Sequence, residues 1–234
     1  MFRILILTAV ELEARALARQ LELPALTSLP FPAFGRGDLR LAPVGLRAGL
    51  LPSRWPLLLT GLERPLVVSA GVCGALAPDL QSGDLVLPES VLGPAAERLN
   101  VTPTAYARAT ALAPAVRRGT MATSREVVAT ADAKSALFAT TGAVAVDMES
   151  SVILAHAAAA GCPTLVVRGV SDTARESLPP ELIALVTPAG RLSTVRALTL
   201  TLTRPHVLPR ALALRQAARR ALTAVARLLA AFAA

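Results

Sequence analysis

Aromatic side chains make up only 3% of these 234 residues, with a single Trp and a single Tyr. Single-stranded nucleic acid is gripped by stacking bases on such rings, so their scarcity argues against a nucleic-acid partner, and no recognisable nucleic-acid module is present. Cysteine is scarcer still. Cys73 and Cys162 both sit in apolar stretches without metal-ligand spacing. They read as reduced core residues, which argues against a disulfide scaffold and predicts a cytoplasmic setting. The two histidines, His156 and His206, stand apart from any Cys or Asp cluster, so no metal and no cofactor is expected. Although 53% of the chain is hydrophobic and mean hydropathy is +0.55, every stretch of about 18 residues is interrupted by a charge or a proline, which argues against a spanning helix. The apolar start, MFRILILTAVELEAR, is short and meets acids rather than a cleavage site. It reads as a first strand, not a leader.

What the chain does have is length for one α/β domain with a substantial core, and a basic surplus. The formal net charge is +8 and the isoelectric point is about 11.2. Most of that surplus lies late: from Arg175 onward, nine arginines face only Glu176 and Glu181. The last segment, about 209–234, predicts a long helix. Leu214, Ala218, Leu222, Val225 and Leu229 fall on one side at steps of three and four, with Arg215, Arg219 and Arg227 on another. Such a face is either solvated or suited to peripheral contact with an anionic inner membrane surface.

Residues 143–172, AVAVDMESSVILAHAAAAGCPTLVVRGVSD, organise the rest. A short apolar run, 143–146, ends in Asp147, Met148 and Glu149. An alanine-rich helix follows to about residue 160, stopped by Gly161 and Pro163. A β-branched run, 164–170, then delivers Ser171 and Asp172 at its carboxyl end. Ligands of open α/β sheets sit in the crevice beyond the carboxyl ends of strands, so Glu149 and Asp172 are expected to point into one crevice. Near the start, an apolar strand leads into Glu11-Leu12-Glu13 and a helix to Gln20. Those acids suit a helix first turn or a second contribution to the crevice. PLVVSAGVCGAL, residues 65–76, predicts a buried strand whose Gly71 and Gly74 let backbone approach a ligand. Residues 38–44 predict another strand, 120–124 a strand ending, 134–139 a short helix and 182–186 a second one. No elements are assigned within 93–119.

VDMES, followed some twenty residues later by VVRGVSD, resembles the signature of the nucleoside phosphorylase and nucleosidase superfamily, as does the glycine-rich stretch continued by Gly83-Asp84-Leu85-Val86-Leu87. The match is closest to the methylthioadenosine/S-adenosylhomocysteine nucleosidase branch and the hopanoid-associated enzymes. The latter are suggested by the tail pattern, Arg204-Pro205 through Leu208-Pro209 to Leu212 and Leu214, after Gly190-Arg191. The resemblance implies a three-layer α/β/α fold with a mixed, partly barrel-like central sheet, a homodimer, and a small-molecule nucleoside substrate. It implies Asp172 as the acid that protonates purine N7 and Glu13 as the base that activates water. Glu149 would hold the ribose hydroxyls. Met148, Ser171, Gly74, Cys73 and Val72 would line ribose and purine, and the backbone of Val128 and Ala129 would read the base edge.

Two departures matter. Val72 stands where relatives often carry a hydroxyl, which weakens phosphate binding, with Arg15, Arg47 and Arg125 as substitutes of unknown placement. Arg125 and Val128 replace a usual glycine and aromatic. The implied reaction is hydrolysis of a 5′-substituted adenosine, with adenosylhopane as the leading substrate. Methylthioadenosine, S-adenosylhomocysteine or futalosine cleavage, phosphorolysis, and a non-enzymatic nucleoside-binding role are the alternatives.

Overall fold

The computed structural model describes residues 3–179, 181 and 208–233. Its strands are β1 (Ile4–Thr8), β2 (Phe34–Arg36), β3 (Leu39–Pro43), β4 (Leu66–Ala75), β5 (Leu85–Val86), β6 (Ser90–Leu92), β7 (Arg98–Asn100), β8 (Thr120–Thr123), β9 (Ala145–Asp147) and β10 (Thr164–Asp172). The described helices are α1 (Glu11–Gln20), α2 (Leu51–Leu59), α3 (Pro103–Leu112), α4 (Ala131–Thr141), α5 (Ser150–Ala159) and α6 (Leu208–Ala233).

The sheet branches at β4. Its first residues pair in parallel with β1, Leu66 to Ser69 against Ile4 to Leu7. Its last two, Gly74 and Ala75, pair antiparallel with Val146 and Ala145 of β9. β10 runs parallel to β4 from Thr164 opposite Val67 to Asp172 opposite Gly74, with a register shift between Val170 and Asp172. The sheet is therefore mixed, in the order β2-β3-β1-β4-β9-β8-β6-β7, with β10 joined to β4 and β5.

Side-chain alternation in β1 shows why helices cover both faces. Ile4 and Ile6 pack in one core with Leu17 of α1 and Leu222, Val225 and Leu229 of α6. Leu5 and Leu7 enter a second core with Leu51 and Leu58 of α2 and Ile153 of α5. Each such side chain, fully buried, contributes roughly 1.5–3 kcal/mol.

The structure extends the sequence reading in three places. Residues 93–119, left without elements, contain β7 and α3. Helix α3 opens on Pro103 and buries only Ala105, Ala109 and Thr110, so it carries no large apolar period to read. Helix α4 is longer than 134–139 because Thr130 caps it, accepting from the Ala133 N–H at 3.1 Å, and Gly142 ends it at φ 64°. The apolar face of α6 is only partly as expected. Leu222, Val225 and Leu229 are buried, but Leu214, which precedes the first buried position at Ala217, and Ala218, beside it, are half-exposed. The helix expected at 182–186, His206 and most of the tail pattern lie outside the described residues. Among those described, no helix is long and apolar enough to cross a membrane.

β10 and α6 approach closely at Gly169. A Cβ there would lie 2.5 Å from the Ala221 carbonyl oxygen. Gly169→Ala is expected to push α6 away and destabilise the fold by about 1–3 kcal/mol, the usual range for overpacking. Urea unfolding measures it, and a midpoint equal to wild type would contradict this packing.

Candidate active site

The carboxyl ends of β4 and β10, the end of β9 and the start of α1 converge on a cavity of about 230 Å³. Glu13, Glu149 and Asp172 all line it. So do Val72, Cys73 and Gly74 from β4, together with Val128, Met148 and Ser171. Ala129 does not line it, and its carbonyl is occupied by the Leu178 N–H at 2.7 Å.

Glu13 sits at the third position of α1, close enough to fold back. Its Oε2 accepts from the Val10 N–H at 3.3 Å and its Oε1 from the Val72 N–H at 2.9 Å. The capping role and the cavity role thus fall on one side chain. Burial pushes the Glu13 carboxyl up from its ordinary value, against the opposing pull of Arg168 and of these N–H groups.

The two acids of the VDMES segment divide their tasks. Asp147 is spent internally: Oδ1 accepts from Thr123 Oγ1 at 2.8 Å, and Oδ2 accepts from the Ser150 N–H at 3.0 Å while pairing with Arg168 Nη2 at 2.6 Å. Glu149 has one protein donor shown, the Arg47 N–H at 2.9 Å to Oε1. Its carboxyl is pushed up to about 8 by burial first and by the Asp147 charge second, with Arg168 and the Arg47 N–H opposing.

Arg168 is fully buried beneath the cavity wall. Besides Asp147, Nη2 donates to Ser69 Oγ at 2.8 Å and Ser150 Oγ at 3.1 Å. Nε and Nη1 have no partner among the described residues. Burial opposes the guanidinium charge, but Asp147, Glu149 and Glu13 together outweigh it and raise the pKa. The arginine can lie against Glu13 only because of Gly71, at φ 153°. A Cβ at that position would lie 2.6 Å from Arg168 Nη1 and 2.7 Å from Glu13 Oε1.

Asp172 is held on both oxygens. Oδ1 accepts from Ser171 Oγ at 2.6 Å, and Oδ2 from Lys134 Nζ at 2.5 Å. Gly74 gives this carboxylate room, since a Cβ there would lie 3.0 Å from Oδ2. Lys134 is wholly buried and donates as well to the Thr173 carbonyl at 2.8 Å and the Glu176 carbonyl at 2.9 Å. Removing one member of such a buried pair typically costs about 3–5 kcal/mol, because the other charge is left stranded.

Neither Lys134 nor Arg168 was among the residues expected from the sequence. A signal for the first was present: of 24 basic residues, Lys134 is the one lysine. Cys73 lines the cavity, and burial pushes its thiol up, which disfavours the thiolate. Cys162 is buried and free. Among the described residues, no group of three or more His, Cys, Asp or Glu side chains could hold a metal ion.

Of the arginines that could have met a phosphate, Arg15 is paired to Glu11 at 2.6 Å. Arg47 and Arg125 line a neighbouring cavity of about 470 Å³ with His156, and Met148 belongs to both cavities. Among the described residues, no aromatic side chain lines the first. Chemically, the site offers one carboxyl poised beside backbone donors, another beside an ammonium and a third of raised basicity. That combination suits proton transfer in both directions.

The chain belongs to the phosphorylase superfamily, whose family model matches residues 57–202, the span that holds β4, β9 and β10. A futalosine hydrolase of Streptomyces coelicolor (strain ATCC BAA-471 / A3(2) / M145) is 33% identical over 229 residues, covering 82% of this chain and 95% of that protein. The fold is shared with a methylthioadenosine/S-adenosylhomocysteine nucleosidase of Streptococcus pneumoniae in complex with 8-aminoadenine. That structure has a TM-score of 0.74 and 18% identity over 99% of this chain and 98% of that one. The native futalosine hydrolase of Helicobacter pylori shares it too, with a TM-score of 0.70 and 17% identity over 98% and 96%.

The Glu149 carboxyl sets a pH dependence of stability. Its folded value, about 8, lies above the unfolded 4.5, so the folded chain holds the proton more tightly. The stability this gives is complete below about pH 4.5 and drains as pH rises through 8, by at most about 1.4 kcal/mol per pH unit. Glu149→Gln, which cannot ionise, is expected to flatten the fall in stability between pH 5 and 8. Denaturant titration of the ligand-free protein at several pH values checks this, and an unaltered slope would contradict it.

Proposed function

We propose that the chain is a purine nucleosidase that hydrolyses the N-glycosidic bond of a 5′-substituted nucleoside. The observation that carries this reading is the convergence of Glu13, Glu149 and Asp172 on one cavity. The bond breaks with its electron pair leaving on the base, and the ribose becomes oxocarbenium-like. Asp172 gives a proton to N7 as that charge arrives. Glu149, whose proton the ligand-free site holds up to about pH 8, accepts from the ribose hydroxyls once ionised, and the cationic ring that develops beside it favours that ionised form. Glu13 removes a proton from the water that attacks C1′. The unpartnered Nε and Nη1 of Arg168 support placing that water between the guanidinium and Glu13.

Hydrolysis is favoured over phosphorolysis. Val72 offers no hydroxyl and Arg15 is already paired, whereas phosphate calls for converging cationic donors. For the 5′ group, adenosylhopane in hopanoid biosynthesis is the reading that the tail pattern supports. A futalosine-like nucleoside is the second reading, favoured by the Streptomyces relative and by Arg47 and Arg125 in the adjoining cavity, which suit a polar or anionic extension. A homodimer is part of this reading, on the resemblance to the family. The exposed Arg215, Arg219 and Arg227 of α6 support contact with the cytoplasmic face of an anionic membrane.

The test is base release from adenosylhopane, methylthioadenosine, S-adenosylhomocysteine and futalosine, with and without phosphate. Release is expected in phosphate-free buffer, and Glu13→Gln is expected to lower kcat by roughly 100-fold or more, in line with losing a general base. Strict phosphate dependence would overturn hydrolysis, and no release from any of the four would overturn the nucleosidase reading.

A further inference from the structure

Lys134 is the one lysine among 24 basic residues, and it is one of the largest side chains buried without any exposure. Every surface cation of this chain is therefore an arginine. Lysine differs by being a compact point charge with three donors on one nitrogen. All three are used here, on Asp172 Oδ2, the Thr173 carbonyl and the Glu176 carbonyl. A planar guanidinium could not meet three acceptors arranged around one atom. Lys134 is the one fully buried residue of α4, and the apolar contacts of that helix are made by the half-buried Leu137 and Phe138 against Leu76, Ala122, Ala143 and Val146. Lys134 does not line the cavity, and it can reach a substrate only through Asp172.

We propose that Lys134 is a positioning residue that makes Asp172 an effective acid toward the departing base. This rests on the nucleosidase reading above and goes beyond it. In the ligand-free protein Asp172 is a carboxylate paired with the ammonium, so it takes a proton from solvent before each turnover. As the C1′–N9 bond breaks, its electron pair passes to the purine and that proton passes from Asp172 to N7. What remains on the protein is a carboxylate, and Lys134 and Ser171 already stand at its two oxygens. The ammonium keeps its own protons throughout, and Asp172 regains one from solvent after the base leaves. Lys134 thus acts on the anion that the proton transfer creates, in a water-poor setting where such an interaction is strongest. The other charged groups around Asp172 include Glu13, Glu126 and Glu149, which line the same cavity, Glu176, whose Oε2 is occupied by the Thr173 N–H and hydroxyl, and Arg210 and Arg220 across a smaller cavity behind the acid.

A cycle of D172N, K134M and the double variant tests this, with kcat and KM read on whichever nucleoside the wild type cleaves. The expected result is a fall in kcat of at least tenfold for K134M with little change in KM. Adding K134M to D172N should then change kcat by less than twofold, because Lys134 has nothing left to act through. A lysine that merely supports the fold would lower activity by the same factor in both backgrounds, and that result overturns the proposal. If K134M does not fold, D172N against the double variant decides by itself: unchanged kcat supports the proposal, and a further tenfold fall overturns it. A ribose bearing a 4-nitrophenol leaving group, which departs without a proton, adds a second readout where the wild type cleaves it. K134M should retain that reaction, and an equal loss on both substrates counts against the proposal. Failure of the wild type on every nucleoside instead defeats the underlying reading, and is told apart by that.

Discussion

The site depends on one buried guanidinium. Arg168 draws Asp147 into a direct ion pair and acts at longer range on Glu13 and Glu149. Three carboxylates crowded into a low-dielectric pocket repel one another, and burial alone pushes both glutamates toward their neutral forms. Arg168 offsets part of that shift, and both carboxyls still stand above their ordinary value, Glu149 at about 8. Gly71 is what allows this cation to lie against Glu13, since any side chain there would occupy the same space. Arg168 in turn is fixed by Ser69 on β4 and Ser150 at the start of α5. The electrostatics and the backbone geometry are therefore one arrangement.

Around that arrangement the fold supplies position. β4 carries β1, β9 and β10 together, and the register that sets Asp172 opposite Gly74 places the acid beside the one residue type that leaves it room. The bulge between Val170 and Asp172 falls where the strand must turn Ser171 and Asp172 toward the cavity, a common use of such irregularities next to functional sites. Asp147 and Glu149, two residues apart, are separated by role because Thr123, Ser150 and Arg168 take both oxygens of the first.

Much of this could be read from the sequence, and for identifiable reasons. β1 is an uninterrupted apolar run and β10 is one broken by Arg168, and a doubly buried strand leaves that trace. Glu13, Glu149 and Asp172 stand just beyond such runs, where sheet ligands gather. Helix α3 could not be read, because alanine and threonine fill its buried positions and give no period. Lys134 was hidden for the opposite reason: a lone lysine within a short helix reads as a solvated residue, and only the return of the chain at Thr173 to Glu176 encloses it. Arg168 was visible inside VVRGVSD, but a charge within a buried strand finds its meaning only when the partners arrive from β4 and β9. Ala129 shows the limit from the other side, as a backbone group expected at the base edge that Leu178 already engages.

The pairing of β4 with β10 has a consequence for how the protein is made. Val67 meets Thr164 across almost a hundred residues of chain, and loops of that length close late because their entropy must be lost before contacts return it. The cavity has no existence before this closure, since Glu13, Gly71 and Asp172 lie far apart in the chain until then. A ribosome-bound fragment ending anywhere before β10 would hold Glu13 without its cation and Glu149 without the guanidinium that offsets its neighbours. Competence for chemistry thus requires β10 in place, and the same pairing covers the edge of β4 opposite β1.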